Sequence, residues 1–175
     1  MCAKIISIEQ AIEMKNEYQT RIKTVIEASR GSGYQATEFV WIDLETLKNY
    51  LKKLDDVKEK NSTDVSGIRI YFSAYPKDET DAFKSSEIDY PDRETLFLAP
   101  TIEVASTSAS NNYPNLQHLP FCINPTNASD PLKGAIEIID GLLNVNDNTS
   151  SATTSNYTNK TSLLLDKMTI TPPPY

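Results

Sequence analysis

The sequence predicts an α+β fold: a small mixed or antiparallel sheet of three to four strands, packed by about three helices. Three observations carry this. The run 65–75, Val-Ser-Gly-Ile-Arg-Ile-Tyr-Phe-Ser-Ala-Tyr, alternates at period two, as a strand does. A second β-rich run, Thr95-Leu96-Phe97-Leu98-Ala99, is stopped by Pro100. Three stretches, starting near Ser7, Asp43 and Asp130, carry helix start signals followed by apolar residues at helical spacing.

The first helix opens with Ser7-Ile8-Glu9-Gln10, a capping box in which the Ser7 hydroxyl accepts from the Gln10 amide and Gln10 reaches back. Ile8, Ala11, Ile12, Tyr18, Ile22, Val25 and Ile26 then form the expected buried stripe, with Gly31 as the left-handed stop. Phe39-Val40-Trp41-Ile42 reads as a short strand. Asp43 caps a second helix whose expected buried stripe is Leu44, Leu47, Leu51 and Leu54, with Tyr50 beside it. Its lysines are interleaved with acids, which marks a solvated face.

In the central strand, Ile68, Ile70, Phe72 and Ala74 share one face and are expected to be buried. Arg69, Tyr71, Ser73 and Tyr75 point the other way. Between the two strand runs lies a long loop, 76–94, holding Asp78, Glu79, Asp81, Glu87, Asp89, Asp92 and Glu94. Long loops are usually functional or disordered, but these carboxylates do not follow the spacing of an EF-hand. Leu119-Pro120-Phe121-Cys122-Ile123 reads as an edge strand. Asp130-Pro131 is read as the start of a third helix with Leu132, Ala135, Ile136, Ile139, Leu142 and Leu143 buried.

The organisation expected is therefore a single α+β domain over 1–143 and a polar, partly extended tail over 144–175, rich in Ser, Thr and Asn. Leu163-Leu164-Leu165 is expected to dock that tail back. The closing Pro172-Pro173-Pro174-Tyr175 fits the Pro-Pro-x-Tyr pattern that WW domains read, though an extended tail is the plainer reading.

Composition excludes more than it assigns. A formal charge of -7, with no basic cluster to offset it, speaks against nucleic acid and anionic membrane surfaces. No apolar run approaches the ~20 residues that span a bilayer, and the start has no signal-peptide core, so a cytoplasmic location is expected. Two cysteines, Cys2 and Cys122, and one histidine, His118, give neither a disulfide framework nor a zinc pattern. His118 and Cys122 are four apart, but Pro120 breaks the helix that would pair them as a catalytic dyad. No cofactor is expected.

The order of elements, together with Gly67-Ile68-Arg69-Ile70-Tyr71-Phe72 and Thr95-Leu96-Phe97-Leu98-Ala99-Pro100-Thr101, resembles a family of small uncharacterised bacterial proteins built on a Gly-Ile-Arg-Ile-Tyr-Phe type of strand. The resemblance covers residues 8–101 and implies the element order. Many members end in a Cys-Pro-Pro-x-Cys-like tail, of which Thr171-Pro172-Pro173-Pro174-Tyr175 would be a cysteine-free counterpart. The family implies no activity.

The functional expectation is a non-enzymatic binding or interaction module, acting through the polar strand face with Arg69, Tyr71 and Tyr75 as a contact row toward a protein partner or a second copy. Two alternatives stand beside it. One is a small enzyme in which Arg69 orients an anionic substrate and a loop carboxylate acts as base. The other is a structural subunit of a larger assembly. The plainer reading of the row itself is that Arg69 pairs with a structural carboxylate while Tyr71 packs under a helix.

Overall fold

The computed structural model describes residues 5–80, 82–83, 90–104, 118–143, 157–166 and 169–171. The expected tail motif at 172–175, Cys2, and the loop acids Asp81, Glu87 and Asp89 lie outside them. The chain is a mixed α+β fold with a four-stranded antiparallel sheet in the order β2-β3-β4-β5 and a separate two-stranded pair, β1-β6. Its strands are β1 (Phe39–Trp41), β2 (Val65–Ala74), β3 (Glu94–Glu103), β4 (His118–Pro125), β5 (Gly134–Ile138) and β6 (Thr169–Thr171). Two compact units emerge. The first takes the described residues of 1–41, 73–95 and 168–175, and the second those of 42–72 and 96–167.

In the first unit the capping box is present, with Gln10 N donating to Ser7 Oγ at 3.2 Å and Ser7 N to Gln10 Oε1 at 3.0 Å. One helical body follows: α1 (Ile8–Glu17), a π-helical stretch over Tyr18–Lys23, and α2 (Thr24–Arg30), ended by Gly31 at φ 99°. The expected apolar stripe is not the seat of this helix, since Ile8, Ile12, Ile22 and Val25 are all exposed. Polar side chains seat it instead. Tyr18 donates its hydroxyl to Thr37 O at 2.8 Å, Lys23 pairs with Glu38 at 2.5 Å, and Glu27 accepts from Ala36 N at 3.0 Å. The physical reason is twofold. The π stretch rotates the later residues by roughly 100° relative to a straight α-helix, which breaks a single 3.6-residue stripe. The segment facing the helix also presents backbone groups that need partners, and polar side chains supply them.

The expected strand at Phe39 is β1, paired antiparallel with β6 through Phe39↔Thr171, Val40↔Ile170 and Trp41↔Thr169. The small core of this unit is Tyr75, packed by Val40, Phe83 and Tyr90, with the Phe83 ring edge-on at 6.5 Å. Beside these, Tyr34 donates to Glu94 Oε1 at 2.7 Å while Glu94 Oε2 accepts from Thr37 N at 3.1 Å. The Tyr34 ring lies between the guanidinium groups of Arg30 and Arg93, at 5.4 and 4.7 Å from its centroid, and Arg30 also pairs with Asp92.

In the second unit, α3 (Leu44–Asn61) begins at Asp43, whose carboxylate accepts from Thr46 N at 2.8 Å. Its buried residues are Tyr50, Leu54 and Val57, whereas Leu44 and Leu51 are exposed. Positions 50, 54 and 57 sit on one face at four- and three-residue steps, and the expected Leu44–Leu51 pair lies on its flank. The core joins Val57 to Phe121 and Ile123 of β4 and to Leu163, with Val65, Ile102, Leu132, Ile136 and Ile138 against it.

The third helix expected after Asp130 is corrected: the described residues form two long helical bodies, 134–138 is β5, and only a 3₁₀ turn, Asp140–Leu142, follows it. It pairs antiparallel with β4 from Phe121↔Ile138 to Pro125↔Gly134. Asp130 caps only a turn, accepting from Lys133 N at 3.1 Å. Two facts decide against helix. Ile136 and Ile138 are β-branched and two apart, and both reach the same core. Gly134 sits where a Cβ would come 2.0 Å from Asn124 O, a close backbone approach that only glycine allows.

The 161–165 segment is ordered by main-chain pairing. Ile123 N donates to Thr161 O at 3.2 Å and Thr161 N to Ile123 O at 2.7 Å. Leu98 and Leu165 exchange the same pair of bonds, both at 3.0 Å. Because β3 and β4 pair directly only over 101–103 and 118–120, this segment ties each of them further along. Leu163, between the two anchor points, is fully buried, so the docking expected of the Leu run is made through this residue.

Candidate functional site

The face of β2 expected to be buried is turned out. Ile70 is 59% exposed and Phe72 is 92% exposed. The polar-tipped face is the inner one. Tyr71 is half-buried, stacks on Phe97 at 4.9 Å between centroids, and donates its hydroxyl to Leu142 O at 2.9 Å. Arg69 is half-buried too, with Nη1 3.4 Å from the Tyr71 hydroxyl. Two effects explain the reversal. An aromatic ring with a satisfied hydroxyl buries as much apolar area as an isoleucine. The strand also has a neighbour in Phe97 against which only Tyr71 stacks.

Of the three residues singled out from the sequence, the structure brings Arg69 and Tyr71 together in the second unit and places Tyr75 in the core of the first. Tyr71 packs on the strand residue Phe97 and donates to Leu142 O in the 3₁₀ turn Asp140–Leu142. Among the described residues no carboxylate forms a salt bridge with Arg69. Two of the loop acids considered as bases are engaged locally, Asp92 by Arg30 and Glu94 by Tyr34 and Thr37. Burial raises Glu94, but the hydrogen bonds from Thr37 and Tyr34 outweigh it and hold the carboxyl below its ordinary value. Burial and the Glu94 carboxylate push Tyr34 up to about 12. Tyr34, Thr37 and Arg30 thus hold both acids in place, and the cluster reads as a structural anchor.

His118 and Cys122 are bound to different partners. His118 Nδ1 lies 2.9 Å from Ser66 Oγ, and Cys122 Sγ points to Glu137 O at 3.6 Å. Among the described residues no group of His, Cys, Asp and Glu could hold a metal ion.

Among the described residues, two concave places stand out in the second unit. An open groove by the end of α3 is lined by Asp55, Lys58, Glu59 and Asp64, and its Lys58 is engaged by Asp64 at 2.6 Å. The other is a cleft of about 330 Å³ with Cys122 as floor. Ile139 and Leu142 form one wall, Leu164 another, and Tyr157 and Lys160 the rim. Lys160 pairs with Glu137, whose other oxygen accepts from Asn124 Nδ2 at 2.7 Å. This pairing raises Lys160 and, together with Asn124, lowers Glu137. Burial pushes the Cys122 thiol up, which keeps it protonated at neutral pH. The Tyr71 hydroxyl holds the Leu142 carbonyl, so the Arg69–Tyr71 pair buttresses one wall.

Sequence reasoning missed the cleft because its parts are 122, 139–142 and 157–164, joined only by strand pairing. The one local signal was the Leu163–Leu165 run, in which alternation sends Leu163 in and Leu164 out. No helix of the described residues is long and apolar enough to cross a membrane. No protein-family model, curated protein or solved structure matches the chain.

Proposed function

We propose that this chain is a non-enzymatic interaction module whose contact surface is the outer edge of β2, and that the partner is a second copy of the chain. One observation carries the reading. Among the described residues β2 is an edge strand of ten residues whose outward side chains include Ile70 and Phe72, both exposed. Edge strands are normally blunted by proline, lysine or bulges, because their free N–H and C=O groups recruit another strand. β2 holds no proline and a single charge, Arg69.

The strand is also self-complementary. An antiparallel pairing about Ile70 sets Ile70 against its own copy and Phe72 against Ile68 of the second chain, with Arg69 opposite Tyr71. No like charges oppose each other, and an isologous contact closes on itself. In this reading Arg69 and Tyr71 support the strand from within and the apolar side makes the contact. The resemblance to small bacterial proteins is compatible with such a role and adds no chemistry to it.

Light scattering coupled to size exclusion tests the reading across a micromolar concentration range. The expected result is a dimer that Ile70→Lys or Phe72→Asp converts to monomer with little change in melting temperature. A monomer at every concentration, or a dimer indifferent to both substitutions, would overturn it.

A further inference from the structure

We infer that the cleft over Cys122 is a binding site for a small, uncharged, apolar molecule, separate from the β2 edge and independent of any self-association.

Its size comes first. About 330 Å³ is at the lower end of ligand-binding clefts, which span roughly 300–1,000 Å³, and has room for a molecule of about two to three rings or a short branched chain. Its walls are built in advance of any ligand. Leu164 is 39% exposed while its neighbour Leu163 is fully buried. Main-chain bonds at Thr161 and Leu165 clamp the segment on both sides, so Leu164 cannot turn inward without breaking them. Opposite it, the Ile139–Leu142 wall is fixed by Ile139 N donating to Pro120 O at 2.9 Å and by the Tyr71 hydroxyl on Leu142 O. A cleft rigid in both walls does not lose its binding surface to collapse, and ordering costs on binding are small.

Charge then selects the ligand. Among the described residues the one cation at the rim, Lys160, is neutralised by Glu137, and its ammonium stands 5.3 Å over the Tyr157 ring. An anion entering the cleft would have to displace Glu137 and then lie beside it. A cation would lose its hydration among apolar side chains, with Glu137 already taken by Lys160. A neutral apolar solute meets neither penalty and covers Leu142, Leu164 and Ile139, which is the main favourable term available. One polar contact is on offer. Ser162 Oγ accepts from Leu164 N at 3.2 Å, which leaves its O–H available to an acceptor such as an ether or carbonyl oxygen.

The test uses the full chain with N-phenyl-1-naphthylamine, a neutral fluorescent probe, and 1-anilinonaphthalene-8-sulfonate, its sulfonated relative. Saturable fluorescence enhancement is expected with the neutral probe, and binding of the sulfonate weaker by about tenfold or more. Leu164→Glu places a charge in the wall and Ser162→Trp fills the mouth. Each should weaken the neutral probe by about tenfold or more at an unchanged melting temperature. Should Leu164→Glu fail to fold, Ser162→Trp decides, since Ser162 is exposed. On a Cys2→Ser background, the neutral probe should also slow modification of Cys122 by methyl methanethiosulfonate. The inference is overturned by absence of saturable binding, by tighter binding of the sulfonate, by binding that survives the substitutions, or by a bound probe that leaves Cys122 unshielded.

Discussion

Tyr71 and Phe97 lie face to face, their ring planes 8° from parallel and their centroids 4.9 Å apart, and this stack sets which side of β2 is inside. Ile70 and Phe72 must then face out, because neighbouring strand residues alternate.

The first prediction follows from that stack. Tyr71→Ala should destabilise the fold by about 2–3 kcal/mol, from lost aromatic burial and a Leu142 carbonyl left without its donor. Phe72→Ser, at the next residue and on the opposite face of the strand, should stay within about 0.5 kcal/mol under conditions where the chain is monomeric. Urea denaturation measures both. The opposite ranking would return the aliphatic face to the interior.

Asn61 is the second target. Its carboxamide donates to Val57 O at 2.9 Å and Leu132 O at 2.7 Å, and accepts from Gly134 N at 2.9 Å, tying the end of α3 to the entry of β5. Asn61→Ala should cost about 2–4 kcal/mol, since three backbone groups lose their partner at once. Asn61→Asp should be at least as harmful, because a carboxylate keeps the acceptor and opposes two carbonyl oxygens. Gly134→Ala should be poorly tolerated, its methyl group meeting Asn124 O at 2.0 Å. Thermal melts of the three variants check the ranking, and a neutral Asn61→Ala would show that water replaces the carboxamide.

Acid sensitivity should be traceable to Glu94. Its folded carboxyl is held below the ordinary value of 4.5 by hydrogen bonds from Thr37 and Tyr34 that outweigh burial. A depressed carboxyl contributes stability above the unfolded value, and that contribution is lost as pH falls through the folded one. The melting temperature of the wild type should therefore drop below pH 4.5, while Glu94→Gln should start lower by about 1–3 kcal/mol and show a flatter acid limb. Equal acid slopes for both proteins would assign the sensitivity elsewhere.

Tyr50 tests the docking of the late segment. Its buried hydroxyl donates to Leu163 O at 3.0 Å, and burial pushes its ionisation up to about 12. Tyr50→Phe should cost about 1–2 kcal/mol by leaving that carbonyl unsatisfied. Limited proteolysis followed by mass mapping should then show earlier cleavage at residues 157–166 than in wild type. No change in cleavage there would mean that the main-chain pairs to Ile123 and Leu98 suffice.

The sequence by itself determined the local facts. The Ser7 capping box, the Asp43 cap, the Gly31 stop, the period-two run at Ile68–Ala74 and the β-rich run at Thr95–Ala99 each depend on residues a few positions apart, and each is present. The fold class followed from their sum. What it could not determine was orientation. Period two says that Ile70 and Tyr71 face opposite ways, but which faces in depends on Phe97 and Leu142, far along the chain. The same holds for 132–143, where apolar spacing fits a helix and a strand alike until Gly134 closes on Asn124 and β4 supplies five partners. It holds again for the cleft, whose floor and rim are Cys122 and Lys160. Side-chain pattern is a property of neighbours in sequence; burial is a property of neighbours in space, and only the tertiary structure chooses those.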